Sequence, residues 1–205
     1  SREVQRHSRK NVFRASLVGY TNAGKSSILR AMSGAADIFV EDRLFATLDP
    51  LTRDVSVGEN QKVLLTDTVG FIRKLPHHLV ASFRATLEEV GEADLLLHVI
   101  DASHPTWEEQ RLVVDEVLAD LKLQDTPVVH VFNKMDALSA EDAAALRARM
   151  ENLLPNSVFV SALGKGGLSM EPLRAMLLQA VRNQRPLVKL RLPAASGKLI
   201  AEIHR

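Results

Sequence analysis

Cysteine is missing from all 205 residues. That excludes disulfides and thiolate metal centres and fits a reducing cytoplasm. Long apolar runs are missing too: nothing approaches the roughly 18–20 residues of a membrane span. No secretory leader pattern opens the chain. A dominant charge is also lacking, because 26 basic and 25 acidic residues leave a formal net charge of +1. A globally basic nucleic-acid binder is therefore not indicated. The expectation is a cytoplasmic protein with no stable membrane insertion. Basic residues do gather locally, since Arg2, Arg6, Arg9, Lys10 and Arg14 stand against the single acid Glu3. Such a run contacts RNA in some proteins and is more often a solvated segment. With 46% hydrophobic and 25% charged residues, what remains is an ordinary globular composition. The length suits one good-sized domain plus an appendage.

Apolar strand-like runs alternate with helical periodicity. Strands are expected at Phe13–Val18, Asp54–Val57, Val63–Asp67, Asp94–Asp101, Val128–Asn133 and Ser157–Ser161. Runs such as LLLHVI suit strands buried on both faces. Val114, Val117, Leu118 and Leu121 repeat at helical spacing, as do Leu173, Met176, Leu177 and Ala180. Thr106 with Glu109 reads as a capping box, and Pro76 suits the first turn of a helix over His78–Val90. This alternation predicts an α/β fold, a mostly parallel six-stranded sheet with helices on both faces. Ligands of such sheets sit at the carboxyl ends of the strands. The tail, PLVKLRLPAASGKLIAEIHR, reads as a hairpin turning at Ala194–Gly197. The expected organisation is a basic linker end over 1–10, a nucleotide-binding domain over 11–185, and over 186–205 the start of a further domain. A first residue of Ser1 adds the expectation of a piece of a longer protein.

The chemistry lies in the loops after the strands. Gly19-Tyr-Thr-Asn-Ala-Gly-Lys-Ser26 follows a strand and opens a helix, the context that confirms a phosphate-binding P-loop. A chance match in a chain of this composition is on the order of one in a hundred. Backbone N–H groups and a helix N-terminus face the anion. Lys25 brings a point charge to the outer phosphates, and Ser26 offers a hydroxyl to Mg²⁺. Asp67-Thr-Val-Gly70 follows another strand. Asp67 would hold Mg²⁺ through a water, and the Gly70 N–H would meet a γ-phosphate until hydrolysis removes it and the loop relaxes. Asn133-Lys-Met-Asp136 identifies the base. The Asp136 carboxylate accepts from N1–H and the 2-amino group of guanine, a pairing adenine lacks, so the discrimination is strong. Asn133 braces the loop, the Lys134 stem covers the ring, and Ser161-Ala162-Leu163 can aim the Ala162 N–H at guanine O6. Motifs at successive strand ends, in this order, indicate GTP.

The loop between the first helix and the second strand, LFATLDPLTRD, offers Thr47 and Thr52. Thr47 is chosen to complete the Mg²⁺ shell and sense the γ-phosphate, with Thr52 as a turn residue. Lys25, Thr47 and Gly70 are thus expected to act on the transferring phosphate. The nucleotide set comprises Gly19, Tyr20, Thr21, Asn22, Ala23, Gly24, Lys25, Ser26 and Ser27, with Asp67, Gly70, Asn133, Lys134, Asp136, Ser161, Ala162 and Leu163. Metal contacts fall to Ser26, Thr47 and Asp67. Phe71 is the misfit, because a phenyl ring cannot hold the attacking water where such a group is expected. His77 and His78 diverge as neighbours and suit a solvent-facing helix start. His98 is expected to be a satisfied core histidine, Trp107 an anchor for its helix, and Asp101 a structural residue without a role in the site.

The strings VGYTNAGKS, VEDRLFATLDPLTRDV, LLTDTVGFIRKLPHHLVASFRATLEEV, ADLLLHVIDASHP and NKMD resemble the guanine-nucleotide-binding domain of the HflX family of translational GTPases over roughly residues 10–185. The resemblance implies a ribosome-associated GTPase that contacts chiefly the large subunit and its RNA and helps split stalled or idle ribosomes. It also implies a preceding nucleotide-independent domain, joined by a helical linker of which SREVQRHSRK would be the end, and a C-terminal domain beginning with the hairpin. Ser27 and Met32 depart from the family pattern in helix packing only. The family resemblance places Phe71 in a group with a hydrophobic residue after DxxG, some members of which use an asparagine at the place of Asn22 to bind K⁺ beside the phosphates. The 205-residue piece is expected to be monomeric and slow in hydrolysis. Alternatives are a nucleotide-gated binding module with negligible hydrolysis and another ribosome-assembly GTPase. A P-loop kinase would leave NKMD unexplained.

Overall fold

The computed structural model describes residues 12–34, 50–68, 70, 90–164 and 169–184. The basic arm, Thr47, Phe71, the two histidines after Pro76, the helix expected before Val90 and the terminal hairpin fall outside these residues. Six strands form one sheet: β1 (Phe13–Gly19), β2 (Leu51–Gly58), β3 (Gln61–Asp67), β4 (Leu95–Asp101), β5 (Val128–Asn133) and β6 (Ser157–Phe159). Their order is β2-β3-β1-β4-β5-β6. All neighbours run parallel except β2 and β3, which are joined by a tight hairpin at Glu59-Asn60, both with φ near +50°. Two successive positive φ angles mark the primed turn whose twist matches a hairpin. The sequence places every strand; β2 extends beyond Asp54–Val57 at both ends, and β6 stops two residues early. Thr52 therefore lies within β2 and not in a turn, its hydroxyl 2.8 Å from that of Thr66 across the pair.

Helices α1 (Lys25–Ser33), α2 (Trp107–Asp120), α3 (Ala140–Leu153) and α4 (Glu171–Gln184) cover the sheet. Side chains alternate along each strand, so odd and even positions feed different layers. Ala15, Leu17, Leu95, Leu97, Val99, Val129 and Val131 pack with Ile28, Leu29 and Met32 of α1 and Leu173, Leu177 and Val181 of α4. Val18 and Leu96 pack with Val114 and Leu118 of α2, as the helical spacing predicts. Ile100 and Phe132 pack with Met150 of α3 and with Trp107, whose ring meets Phe132 edge-on at 5.3 Å. Trp107 thus anchors its helix, and the Arg149 guanidinium lies 5.7 Å from its ring centre.

Between those last two apolar clusters lies a polar row. Parallel register pairs Val18 with His98 and His98 with His130. Contrary to expectation, His98 is not satisfied: it is 1% exposed, and neither ring nitrogen has a hydrogen-bond partner among the described residues. Its Nδ1 lies 3.4 Å from Asp115 Oδ1 on α2, an ion-pair contact without the geometry of a hydrogen bond. Burial holds His98 below the usual imidazole range and pushes His130 down to about 4. The rings are therefore neutral near pH 7.

Helix starts obey local rules with one departure. Ser139 caps α3, accepting from Asp142 N at 3.0 Å. Thr106 is the N-cap of α2, as expected, but its side chain makes no capping bond and sits 3.2 Å from His104 Nδ1 instead. The nearby imidazole competes for the hydroxyl, so the expected capping box does not close.

Candidate functional site

The carboxyl ends of β1, β3 and β5, with the loop after β6, bring the predicted motifs together. Gly19 ends β1, and residues 20–24 wrap to α1, which starts at Lys25. Gly24 has φ +96° and a built Cβ would lie 2.2 Å from Asn133 Nδ2, so both conformation and space require glycine. α2, α3 and α4 carry acids in their first turns, whereas α1 has none. Its N-terminal partial positive charge is left for an external anion.

Lys25 is buried beside this turn, its Nζ donating to Tyr20 O at 3.2 Å and Gly19 O at 3.4 Å. Burial lowers its pKa to about 8, against the opposing pull of the Asp67 carboxylate. A desolvated ammonium in this position gains most from anionic phosphate oxygens. Ser26 Oγ donates to Asp67 Oδ2 at 2.5 Å although 41 residues separate them. Both are hard oxygen donors, the type Mg²⁺ takes, and both stand beside the P-loop; their juxtaposition fits the metal the motifs imply. Gly70 sits against the P-loop so tightly that a Cβ would approach Thr21 Cα to 2.6 Å. Thr68, which no motif singles out, is 1% exposed and donates to Leu17 O at 2.6 Å, pinning the start of this loop to β1.

Asn133 is the knot of the base-recognition side. Its Nδ2 donates to Ala23 O at 3.0 Å, and its Oδ1 accepts from Ala162 N at 3.1 Å. One buried amide thereby joins the P-loop, the NKMD turn and the Ser161–Leu163 loop. The Ala162 N–H, expected to face guanine O6, is engaged by Asn133 in this structure. Lys134 adopts a left-handed φ of +61°, and its Nζ reaches both Asn22 O at 3.0 Å and Asp101 Oδ2 at 2.8 Å. Asp101, given no role from sequence, therefore holds Lys134; Ser103 N and Oγ donate to its other oxygen. No local motif signals that link, because it spans two strand ends. Asp136 lies in a 3-10 turn, Met135–Ala137, and Ser161 Oγ is buried without a partner among the described residues. Asn22 is exposed with φ +62°, Ser27 is half-buried in the first turn of α1, and Leu163 is exposed.

Topology and site together define a P-loop GTPase domain. The family model described as "50S ribosome-binding GTPase" matches residues 14–134. GTPase HflX of Magnetococcus marinus is 42% identical over 206 residues, covering 100% of this chain and 46% of its own. GTPase HflX of Caldanaerobacter subterraneus is 46% identical over 185 residues, covering 89% and 40%. A GTP-binding protein from Sulfolobus solfataricus, solved with GDP, superposes with a TM-score of 0.66 at 26% identity, covering 89% of this chain and 56% of its own. The chain belongs to the HflX family of GTPases. It spans about half the length of the curated relatives it matches. Among the described residues no helix is long and apolar enough to cross a membrane.

Proposed function

We propose that this chain binds GTP and hydrolyses it to GDP and phosphate, and that its nucleotide state sets the affinity of the whole protein for the large ribosomal subunit. The observation that carries the reading is the convergence at Asn133: one side chain couples the loop that cradles phosphate to two loops suited to guanine. The ribosomal partner is supported by the description of the matching family. Splitting of stalled or idle ribosomes in the cytoplasm extends it to the full-length protein, with residues 186–205 as the start of a further domain and the 205-residue piece itself a monomer.

In this reading the N-terminus of α1 and the P-loop N–H groups hold the phosphates, and Lys25 exchanges its two carbonyl partners for outer phosphate oxygens. These interactions strengthen as charge builds on the leaving phosphate, so they stabilise the transition state more than bound GTP. Gly70, packed on Thr21, offers its N–H to the γ-phosphate; Thr47 is assigned the sensing role from sequence. Asp136 accepts from the guanine edge, the Lys134 stem covers the ring, and Asn133 fixes the mutual positions of the loops. Ser26 and Asp67, the latter through a water, would hold Mg²⁺, which supplies charge neutralisation of the phosphates when bound. Asn22 lies beside Lys134 at the loop's surface and is assigned to K⁺.

Hydrolysis by the isolated chain is slow in this reading, around 10⁻⁴–10⁻² per second as for unassisted GTPases. GTP turnover measured in K⁺ and in Na⁺, each with and without large subunits, tests the whole proposal. Faster turnover on subunits supports it, and a several-fold K⁺ advantage supports the role of Asn22. Tight GTP binding with no turnover under any condition would instead establish the gated binding module, to which the phenyl ring of Phe71 gives sequence support. Failure of GTP to bind in preference to ATP would overturn the assignment to guanine.

A further inference from the structure

We propose that His98, Asp115 and His130 form a binding site for one divalent transition-metal ion of the zinc type, separate from the nucleotide site. Each offers a ligand atom, and these atoms lie within 4.8 Å of one another. The three come from different elements, β4, α2 and β5, so no sequence spacing announces them. Parallel register sets the two histidines side by side, their ring centres 5.6 Å apart. α2 lays Asp115 across them.

The buried polar atoms point to a ligand. Both nitrogens of His98 and Nδ1 of His130 are buried without a hydrogen-bond partner among the described residues. Leaving such groups unmatched costs roughly 1–3 kcal/mol each, and a metal bond is one way to use them. Two imidazoles and a carboxylate are a ligand set that Zn²⁺ accepts, with a fourth position left for water. The carboxylate is already oriented for monodentate binding. Asp115 Oδ1 faces His98 at 3.4 Å, while Oδ2 accepts from Arg111 Nη1 at 2.7 Å. Hydrogen bonds of that outer kind hold metal-bound carboxylates in register.

Distance sets the adjustment required. An ion centred in a triangle of 4.8 Å sides lies about 2.8 Å from each corner, against roughly 2.0–2.1 Å for Zn–N bonds, so each group moves inward by about 0.7 Å. Rotation of half-exposed Asp115 and His130 supplies part of that movement. Their partial exposure also gives an ion a way in. The Arg111 guanidinium, which pairs with Asp115, stays on the far carboxylate oxygen. Bound metal would tie α2 to β4 and β5 at the row that interrupts its apolar packing.

The test uses the 205-residue chain stripped of metal and then saturated with Mg²⁺ and GDP. Co²⁺ is titrated in as a visible-absorption probe, with Zn²⁺ as competitor. The expected result is one equivalent of Co²⁺ giving the intense bands of a four-coordinate site, displaced by Zn²⁺ and retained in excess Mg²⁺. His130→Gln and Asp115→Asn each alter a direct ligand and weaken binding by at least the 10–100-fold that loss of an outer partner costs, while circular dichroism remains unchanged. Zn²⁺ raises the thermal midpoint of the parent chain and not of either variant. Both variants replace half-exposed ligands, so a loss of binding is read in a folded chain. No Co²⁺ spectrum in the parent chain, or equal affinity in folded His130→Gln and Asp115→Asn, would overturn the site.

Discussion

The two faces of the sheet are built from the same strands and behave differently. Beneath α1 and α4, alternate residues of all six strands merge into one continuous apolar layer. Beneath α2 and α3 the apolar surface breaks into two clusters, with His98 and His130 in the gap. Residues adjacent in sequence, Leu97 and His98, fall on opposite sides of that division. The difference separates two tasks. A continuous layer stabilises the sheet by area removed from water, whereas a row of buried polar atoms left without hydrogen-bond partners among the described residues gives a defined position at which a helix can be tied or released.

The sharpest way to test the contrast is to empty the first face. Leu97→Ala is expected to lose about 2–5 kcal/mol in urea unfolding, as for a large-to-small change in a full core. A loss below about 1 kcal/mol would mean that this layer is not close-packed around Leu97. Next comes the knot at the rim. Asn133→Ala leaves Ala23 O and Ala162 N without their partner and should destabilise by about 2–3 kcal/mol; GDP affinity measured by fluorescent-nucleotide displacement should fall in parallel. Unchanged affinity would detach base recognition from the loop network.

Acidification addresses the polar face. Burial lowers the folded pKa of His130 from 6.5 to about 4, so the unfolded chain binds more protons within that window. Stability is therefore complete above pH 6.5 and declines as pH falls toward 4. Partial exposure of His130 reduces the effect to on the order of 1–2 kcal/mol. Chemical unfolding at several pH values, with His130→Gln as the flattened control, measures it; Asp115 and Arg111 are the charged neighbours that shape the curve. The smallest effect is expected for His98→Leu in metal-free protein. An imidazole whose nitrogens have no hydrogen-bond partner among the described residues is replaced by an apolar group of similar size, and the change should lie within about 1 kcal/mol of zero, on the stabilising side. A loss of several kcal/mol would show that His98 has a partner that matters even without metal.

Much of this fold is legible in residue order. Continuous runs such as LLLHVI and VVHVFN identify buried parallel strands because both faces are covered. The P-loop, DTVG and NKMD are recognisable because phosphate and guanine chemistry constrains residues close in sequence. What escapes reading depends on register. His98 reads as satisfied because nothing local reveals that it pairs with His130 and faces an acid 17 positions on. Asp101 reads as idle because its link to Lys134 joins two strand ends. The cap at Thr106 falls where spacing puts it, but spacing alone cannot weigh the competing His104 ring. Ser139 with Asp142 carries a cap signal that residue order does hold, in a serine placed just before an acidic first turn.

Arg174 has a consequence beyond holding α4. Its guanidinium donates to Met32 O at the end of α1 and also to Ser56 O on β2. β2 is an edge strand of the described sheet, and its register shifts between Ser56 and Gly58. An exposed edge is a template on which another chain can add a strand, and proteins resist this with charges and irregularities. Here a guanidinium occupies a carbonyl at the irregular end of β2, while Arg53 and Asp54 charge its middle. Among the described residues, these features work against strand addition by a second copy along β2.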